Sequence, residues 1–338
     1  MLKFEPAPND EAGRPVATQL MPVAAASVEA ATPLEDLDAA FARFLRLDVA
    51  NGDASPDTIR GYRSQLSAWV SWCAGHGVDA RTATTDDVKR YREDLVAQGR
   101  HPTTITHKLN VLRRVYAAVV AAGQRVDNPA IGIRAPRDRR APEDFGYLSE
   151  VELALLFRAV PHDNELKHLR DRALLGLLGL QALRTVETTR ANVTDLQRHG
   201  DNWALLVHGK YHDRLVFLRP DVAEALRAYL AARGSILPNE LGEALIVADG
   251  NFARGHRLSR RGVRHVVDGY LRAANVKLPQ VSNHALRHTS ATLAYRYTRD
   301  LRAVQDMLGH QDPKTTARYA RVVDRARTNP ALKVPVEL

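Results

Sequence analysis

The stretch WALLVHGKYHDRLVFL, residues 203–218, decides the class of the fold. Trp203 to His208 and Leu215 to Leu218 are short apolar runs, and Gly209 to Arg214 between them has turn chemistry. That pattern predicts two antiparallel strands joined as a hairpin. Its surroundings have helical spacing instead. Upstream, Ser149 and Glu152 stand three apart, as a capping box requires, with Leu148 placed to act as the staple. Arg170 to Leu180 is apolar almost all round, which predicts a central buried helix. Downstream, Ala244 to Ala248 reads as a third strand, and the chain from Ser259 onward as helices separated by Gly and Pro. Residues 148–325 are therefore expected to form a mostly helical α+β domain with a small antiparallel sheet.

Working toward the N-terminus, residues 126–147 are rich in proline and arginine, including Asp127-Asn128-Pro129 and Arg134-Ala135-Pro136-Arg137. They read as an extended basic linker. Before them, residues 32–125 carry four amphipathic patterns. The first is Leu34 to Leu47, opened by Thr32-Pro33-Leu34-Glu35. The second starts at Ser55-Pro56 and places Tyr62, Leu66, Trp69 and Val70 on one face. The third starts near Thr85 with Val88, Tyr91 and Leu95. The fourth runs from about Thr103 to Ala122 with Leu109, Leu112, Val115, Tyr116 and Val119. Spacings of three and four predict an all-α domain. Residues 1–31, with four prolines and no sustained period, read as a mobile tail. No repeat of fixed period marks a solenoid.

A chain of 338 residues with 45% hydrophobic content has room for two cores. Its longest apolar run, Ala173 to Leu180, is too short to cross a bilayer, so no membrane partner is expected. No basic start leads into an apolar block, and Cys73 is the single cysteine, which together point to a reducing cytoplasm. The net charge is +9; only 8 of the 48 basic residues are lysine, leaving 40 arginines. Arginine's planar fork grips phosphate oxygens in pairs. A polyanion, chiefly nucleic acid, is the expected partner, although GC-rich coding would also enrich arginine and alanine.

Four local patterns bear on chemistry. Arg184 and Glu187 follow the buried helix one turn apart, as a structural ion pair or a phosphate clamp. Lys210 sits on the hairpin, where most lysines are merely solvated. His284, Arg287 and His288 share a helix face. Two histidines four apart evoke a zinc site, but the metalloprotease pattern needs Glu where Ala285 stands, and no cysteine is near. Gly309 reads as a helix C-cap, Asp312-Pro313 as the next helix start, and Tyr319 as either packing or a nucleophile two turns on.

Taken together and in this order, the chain resembles the tyrosine recombinase family, the phage integrases and Xer-type enzymes, over residues 34–325. The resemblance rests on Arg184-x-x-Glu187, on His284-x-x-Arg287-His288, and on Leu308-Gly309-His310 followed nine residues later by Tyr319. Three positions depart from the family pattern. Ala182 stands where glycine is common, the hairpin is about one residue short, and Ser290 replaces a common aromatic. The resemblance implies a SAM-like core-binding domain before the catalytic one. It implies cutting and rejoining of duplex DNA through a 3′-phosphotyrosyl link, without ATP, metal or other cofactor. Arg184, Arg287 and His310 would stabilise charge on the phosphoryl oxygens, Glu187 would support them, and Tyr319 would attack. His284 would accept the proton and Lys210 would protonate the leaving 5′-oxygen. It further implies a homotetramer on DNA, with a second recombinase or accessory proteins as further partners, association with the nucleoid, and exchange of the C-terminal tail, 326–338, between subunits. Expected backbone contacts are Arg60, Arg63, His107, Lys108 and Arg114 in the first domain, and Arg254, Arg257, Arg260, Arg261 and Arg264 in the second. A type IB topoisomerase or telomere resolvase, and a DNA-binding protein without catalysis, are the competing readings.

Overall fold

The computed structural model describes residues 37–47, 49, 54–138, 145–209, 212–236, 243–250, 254–279 and 281–324. The tails 1–31 and 326–338, the Thr32 helix start and Lys210 lie outside the described residues. The chain divides into two compact units between Arg139 and Arg140.

The first unit is four helices: α1 (Leu37–Leu47), α2 (Pro56–Gly75), α3 (Thr85–Ala97) and α4 (Pro102–Ala121). Each start has a local cause. The Ser55 hydroxyl accepts from Thr58 N ahead of Pro56. Thr84 and Asp87 form a reciprocal capping box, with Thr84 N donating to Asp87 Oδ2 at 2.7 Å. His101 Nδ1 accepts from Thr103 N at the head of α4. The core carries one polar chain: Trp69 Nε1 donates to Tyr116 Oη (2.9 Å), which donates to the Ala80 carbonyl (2.6 Å). Burying two large rings with both polar ends satisfied fixes the crossing of α2 and α4. The expected inward face of α2 needs one correction. Leu66, Trp69 and Cys73 are buried, whereas Val70 is exposed, because it points about a third of a turn away from Trp69. Packing also continues past α4, where Ala130 and Ile133 are buried in this core and their carbonyls accept from Arg113.

The second unit begins with α5 (Glu150–Arg158), whose Ser149–Glu152 capping box is present in both directions. The helix α6 (Glu165–Gly179) is central, with every residue from Ala173 to Gly179 buried. Then come α7 (Thr185–Arg190), a short 3-10 turn (Val193–Asp195), and strands β1 (Leu196–His199), β2 (Asn202–Val207) and β3 (Arg214–Phe217). The sheet is an antiparallel meander in the order β1-β2-β3, with Leu205 opposite Leu196 on one side and Val216 on the other. The remaining helices are α8 (Pro220–Ile236), α9 (Arg260–Ala273), α10 (Asn283–Thr298), α11 (Leu301–Leu308) and α12 (Pro313–Asp324). The expected strand at Ala244 to Ala248 is not one of the three. All of Ala244, Leu245, Ile246 and Val247 are buried, and the segment satisfies its backbone irregularly, as from Leu245 N to Ala191 O and Leu258 N to Ile246 O. The strand sequence reading missed is β1, an edge whose Gln197, Arg198 and His199 are exposed and show no apolar alternation.

Candidate functional site

The site grows from one buried carboxylate. Glu187 is the third residue of α7 and folds back to accept the backbone N–H of Arg184 at 2.8 Å. Its Oε1 also takes Arg184 Nη1 (2.6 Å) and Arg214 Nη1 (2.9 Å), and its Oε2 takes Arg214 Nη2 (3.2 Å). Arg287 Nη1 lies 3.9 Å from Oε2. Burial by itself would raise the Glu187 carboxyl, but the hydrogen bonds from Arg214 and Arg184 outweigh it and hold the group below its ordinary range. A single anion thus gathers three cations. Arg184, with its side chain 36% exposed, faces outward; Arg287, 2% exposed, does not.

Arg287 on α10 is held by carbonyls. It donates to Ala182 O and, at 2.6 Å, to Leu308 O, and its Nη2 is 3.3 Å from His310 Nε2. The Ala182 carbonyl is turned toward it by a left-handed backbone (φ 56°). Gly309 ends α11 with φ 60°, and a Cβ there would stand 2.9 Å from Arg214 Cζ. Glycine is required twice over, by backbone and by space. The next residue, His310, has Nδ1 2.9 Å from the buried Thr316 hydroxyl. Burial, and then Arg287 and Arg184, push its imidazole down to about 4.

Tyr319 on α12 is 1% exposed, in a small cluster with Ala182, Ala291, Tyr295, Val304 and Leu308. Its hydroxyl lies 2.9 Å from His288 Nδ1. Phe145 covers the pair, edge-on to Tyr319 at 5.5 Å and 4.6 Å from the His288 ring, with Arg318 over its face. His284 stacks edgewise on His288 at 4.6 Å. Burial raises the Tyr319 phenol, and Arg287, Arg318 and Arg184 draw it partly back.

A family model described as "Phage integrase family" matches residues 147–325, more than half of the chain. The chain belongs to the phage integrase family. The integrase SAM-like N-terminal domain matches residues 41–123. Tyrosine recombinase XerD of Brucella suis is 30% identical over 292 residues, covering 84% of this chain and 93% of its own length. XerC of Pelobacter propionicus is 31% identical over 272 residues, covering 79% and 85%. Among solved structures, XerH bound to palindromic difH substrate, a post-cleavage complex, is similar with a TM-score of 0.66 at 18% identity, covering 90% of this chain and 91% of that one. A lambda integrase dimer bound to a COC′ core site gives 0.64 at 18% identity, over 86% and 78%. This integrase-family chain is a tyrosine recombinase, a DNA strand transferase, and the topoisomerase and non-catalytic readings are not favoured.

Within the family fold, Arg184, Glu187, Arg287, His310, His284 and Tyr319 all converge in the second unit. Sequence reading gave no role to His288, Arg214, Thr316 or Phe145. Only the shared helix face of 284, 287 and 288 signalled the first of these. The basic residues are less uniform. Arg63, His107 and Arg114 are exposed on α2 and α4; Arg114 donates to Tyr62 Oη, Lys108 to Gln65 Oε1, and Arg60 pairs with Asp57. Arg254, Arg260, Arg261 and Arg264 are exposed in the second unit. Arg257 is exposed too, but its guanidinium is taken up by the chain itself, donating to the Thr189 and Ala191 carbonyls and to Asn192 Oδ1. Among the described residues no group of three or more His, Cys, Asp or Glu could hold a metal ion, and no helix is long and apolar enough to cross a membrane.

Proposed function

We propose that this recombinase cleaves duplex DNA with Tyr319 as nucleophile, while Arg184, Arg287 and His310 hold the scissile phosphate. The observation that carries this reading is the gathering of the two arginines and His310 around Glu187 and the turn at Gly309, with Tyr319 on the helix that follows. An in-line attack builds negative charge on the non-bridging oxygens, and fixed cations stabilise that charge most at the transition state. The 3′-phosphotyrosyl link keeps the energy of the broken ester, so rejoining draws on no external energy. Lys210 protonates the departing 5′-oxygen, and an imidazole of α10 accepts the tyrosine proton. Tyr319 is 1% exposed, so the phosphate reaches its hydroxyl when Phe145, which covers the Tyr319–His288 pair, moves aside on DNA binding. The exposed arginines and histidine of α2, α4 and α9 grip the backbone. Xer and lambda relatives captured on DNA, one of them a tetramer on a Holliday junction, support a tetrameric assembly here, with residues 326–338 docking on a neighbouring subunit. A second recombinase or accessory proteins complete that assembly in the nucleoid.

The test is a nicked suicide duplex. Wild-type protein is expected to form a covalent adduct, and Tyr319→Phe to bind without forming one. An adduct from the Phe variant rules out Tyr319.

A further inference from the structure

We propose that His288 is the group that takes the proton from Tyr319 Oη, rather than His284. This deepens the cleavage reading above and rests on it. The geometry is direct: Tyr319 Oη and His288 Nδ1 are 2.9 Å apart, and no other hydrogen bond to that hydroxyl is present among the described residues. His284 touches His288, not the tyrosine.

The surroundings set the direction of the bond. His288 faces His284 and Arg287 from its own helix, His310 from the turn after α11, Arg318 and Tyr319 from α12, and Phe145 from the segment before α5. Burial, then the positive neighbours, push its imidazole down to about 3, so the ring is neutral at working pH. Between a phenol and a neutral imidazole the phenol is the stronger acid, so Tyr319 donates. His288 therefore carries its own proton on Nε2 and presents the Nδ1 lone pair.

The step balances. Tyr319 Oη forms a bond to phosphorus as its proton passes to His288 Nδ1. The bond from phosphorus to the 5′-oxygen breaks, and that oxygen takes a proton from Lys210. On rejoining, the 5′-hydroxyl returns its proton to Lys210 and His288 returns its proton to Tyr319 Oη. The bound phosphate offsets the cationic field of Arg287, one of the charges that hold His288 down, which raises the proton affinity of His288 when the transfer is needed.

His288→Asn keeps an acceptor oxygen near the position of Nδ1 but cannot hold a proton. In single-turnover cleavage of the suicide duplex it is expected to lose about 10²–10⁴-fold in rate, with DNA binding and melting temperature close to wild type. His288→Gly is expected to lose as much and to recover on addition of free imidazole. Two results would overturn the assignment: near wild-type cleavage by His288→Asn, or loss in both variants that imidazole does not touch, which marks a structural role. A defect confined to His284→Asn assigns the proton there. Tyr319→Phe run alongside separates the two readings: an adduct from it sinks the nucleophile, whereas a dead Phe variant beside an active His288 variant sinks His288 alone.

Discussion

Glu187 carries more of the site than any residue that touches DNA in the proposed mechanism. Replacing it with Gln leaves the shape but removes the one charge that Arg184, Arg214 and Arg287 share. Breaking such a buried set costs about 3–5 kcal/mol. Glu187→Gln should therefore lower unfolding free energy by that order in a urea titration, and should abolish adduct formation. The histidines give a second prediction. His284, His288 and His310 all sit below their ordinary value of 6.5, the latter two at about 3 and about 4. Below pH 6.5 the unfolded chain binds protons that the folded chain refuses. The stability they confer is thus complete above 6.5 and is lost as pH falls, toward about 4 for His310 and about 3 for His288, by at most about 1.4 kcal/mol per pH unit for each histidine. Melting temperature should fall between pH 7 and 5, and less steeply in His288→Asn. At this scale sequence reading succeeded where a residue type is tied to a spacing, as for Arg184 with Glu187. It missed Arg214 because a basic residue opening a strand looks like any other until Glu187 is found beside it.

The elements differ in how well local chemistry announces them. Helix starts were legible because caps are local: Ser55 and Ser149 each close their own first turn. The strand β1 was not, since an edge strand with one half-buried residue has no alternation to read. Ala182, noted in the sequence only as a missing glycine, proves to be the joint between α6 and α7. Its left-handed backbone costs a non-glycine residue about 1–2 kcal/mol, while its buried methyl returns about 0.8 kcal/mol. Ala182→Gly is therefore expected to shift melting by only a few degrees, with cleavage retained. Ala182→Val, branched at Cβ in that region, should destabilise by about 2 kcal/mol and misplace the carbonyl that holds Arg287. Calorimetry and the adduct assay read the two outcomes.

Across the whole molecule, net charge foretold the partner but not which arginines serve it. Arg261 and Arg264 stand exposed on α9, whereas Arg257 fastens one loop to another. Arg261→Ala with Arg264→Ala should reduce the slope of log affinity against log salt by about 2, at unchanged stability. Arg257→Ala should instead lower the melting temperature and leave that slope alone. The chain divides into two compact units within the stretch where the helical period breaks, while the reach of the first core to Ile133 was hidden by surrounding prolines. The aromatic residues of the two cores have an optical consequence. Of three tryptophans, Trp69 and Trp72 stack at 5.3 Å in the first unit, and Trp203 lies under Arg227 in the second. A Trp203→Phe protein would emit tryptophan fluorescence from the first unit alone, so a denaturation curve followed by tryptophan emission and by circular dichroism would resolve whether the halves melt together or in turn.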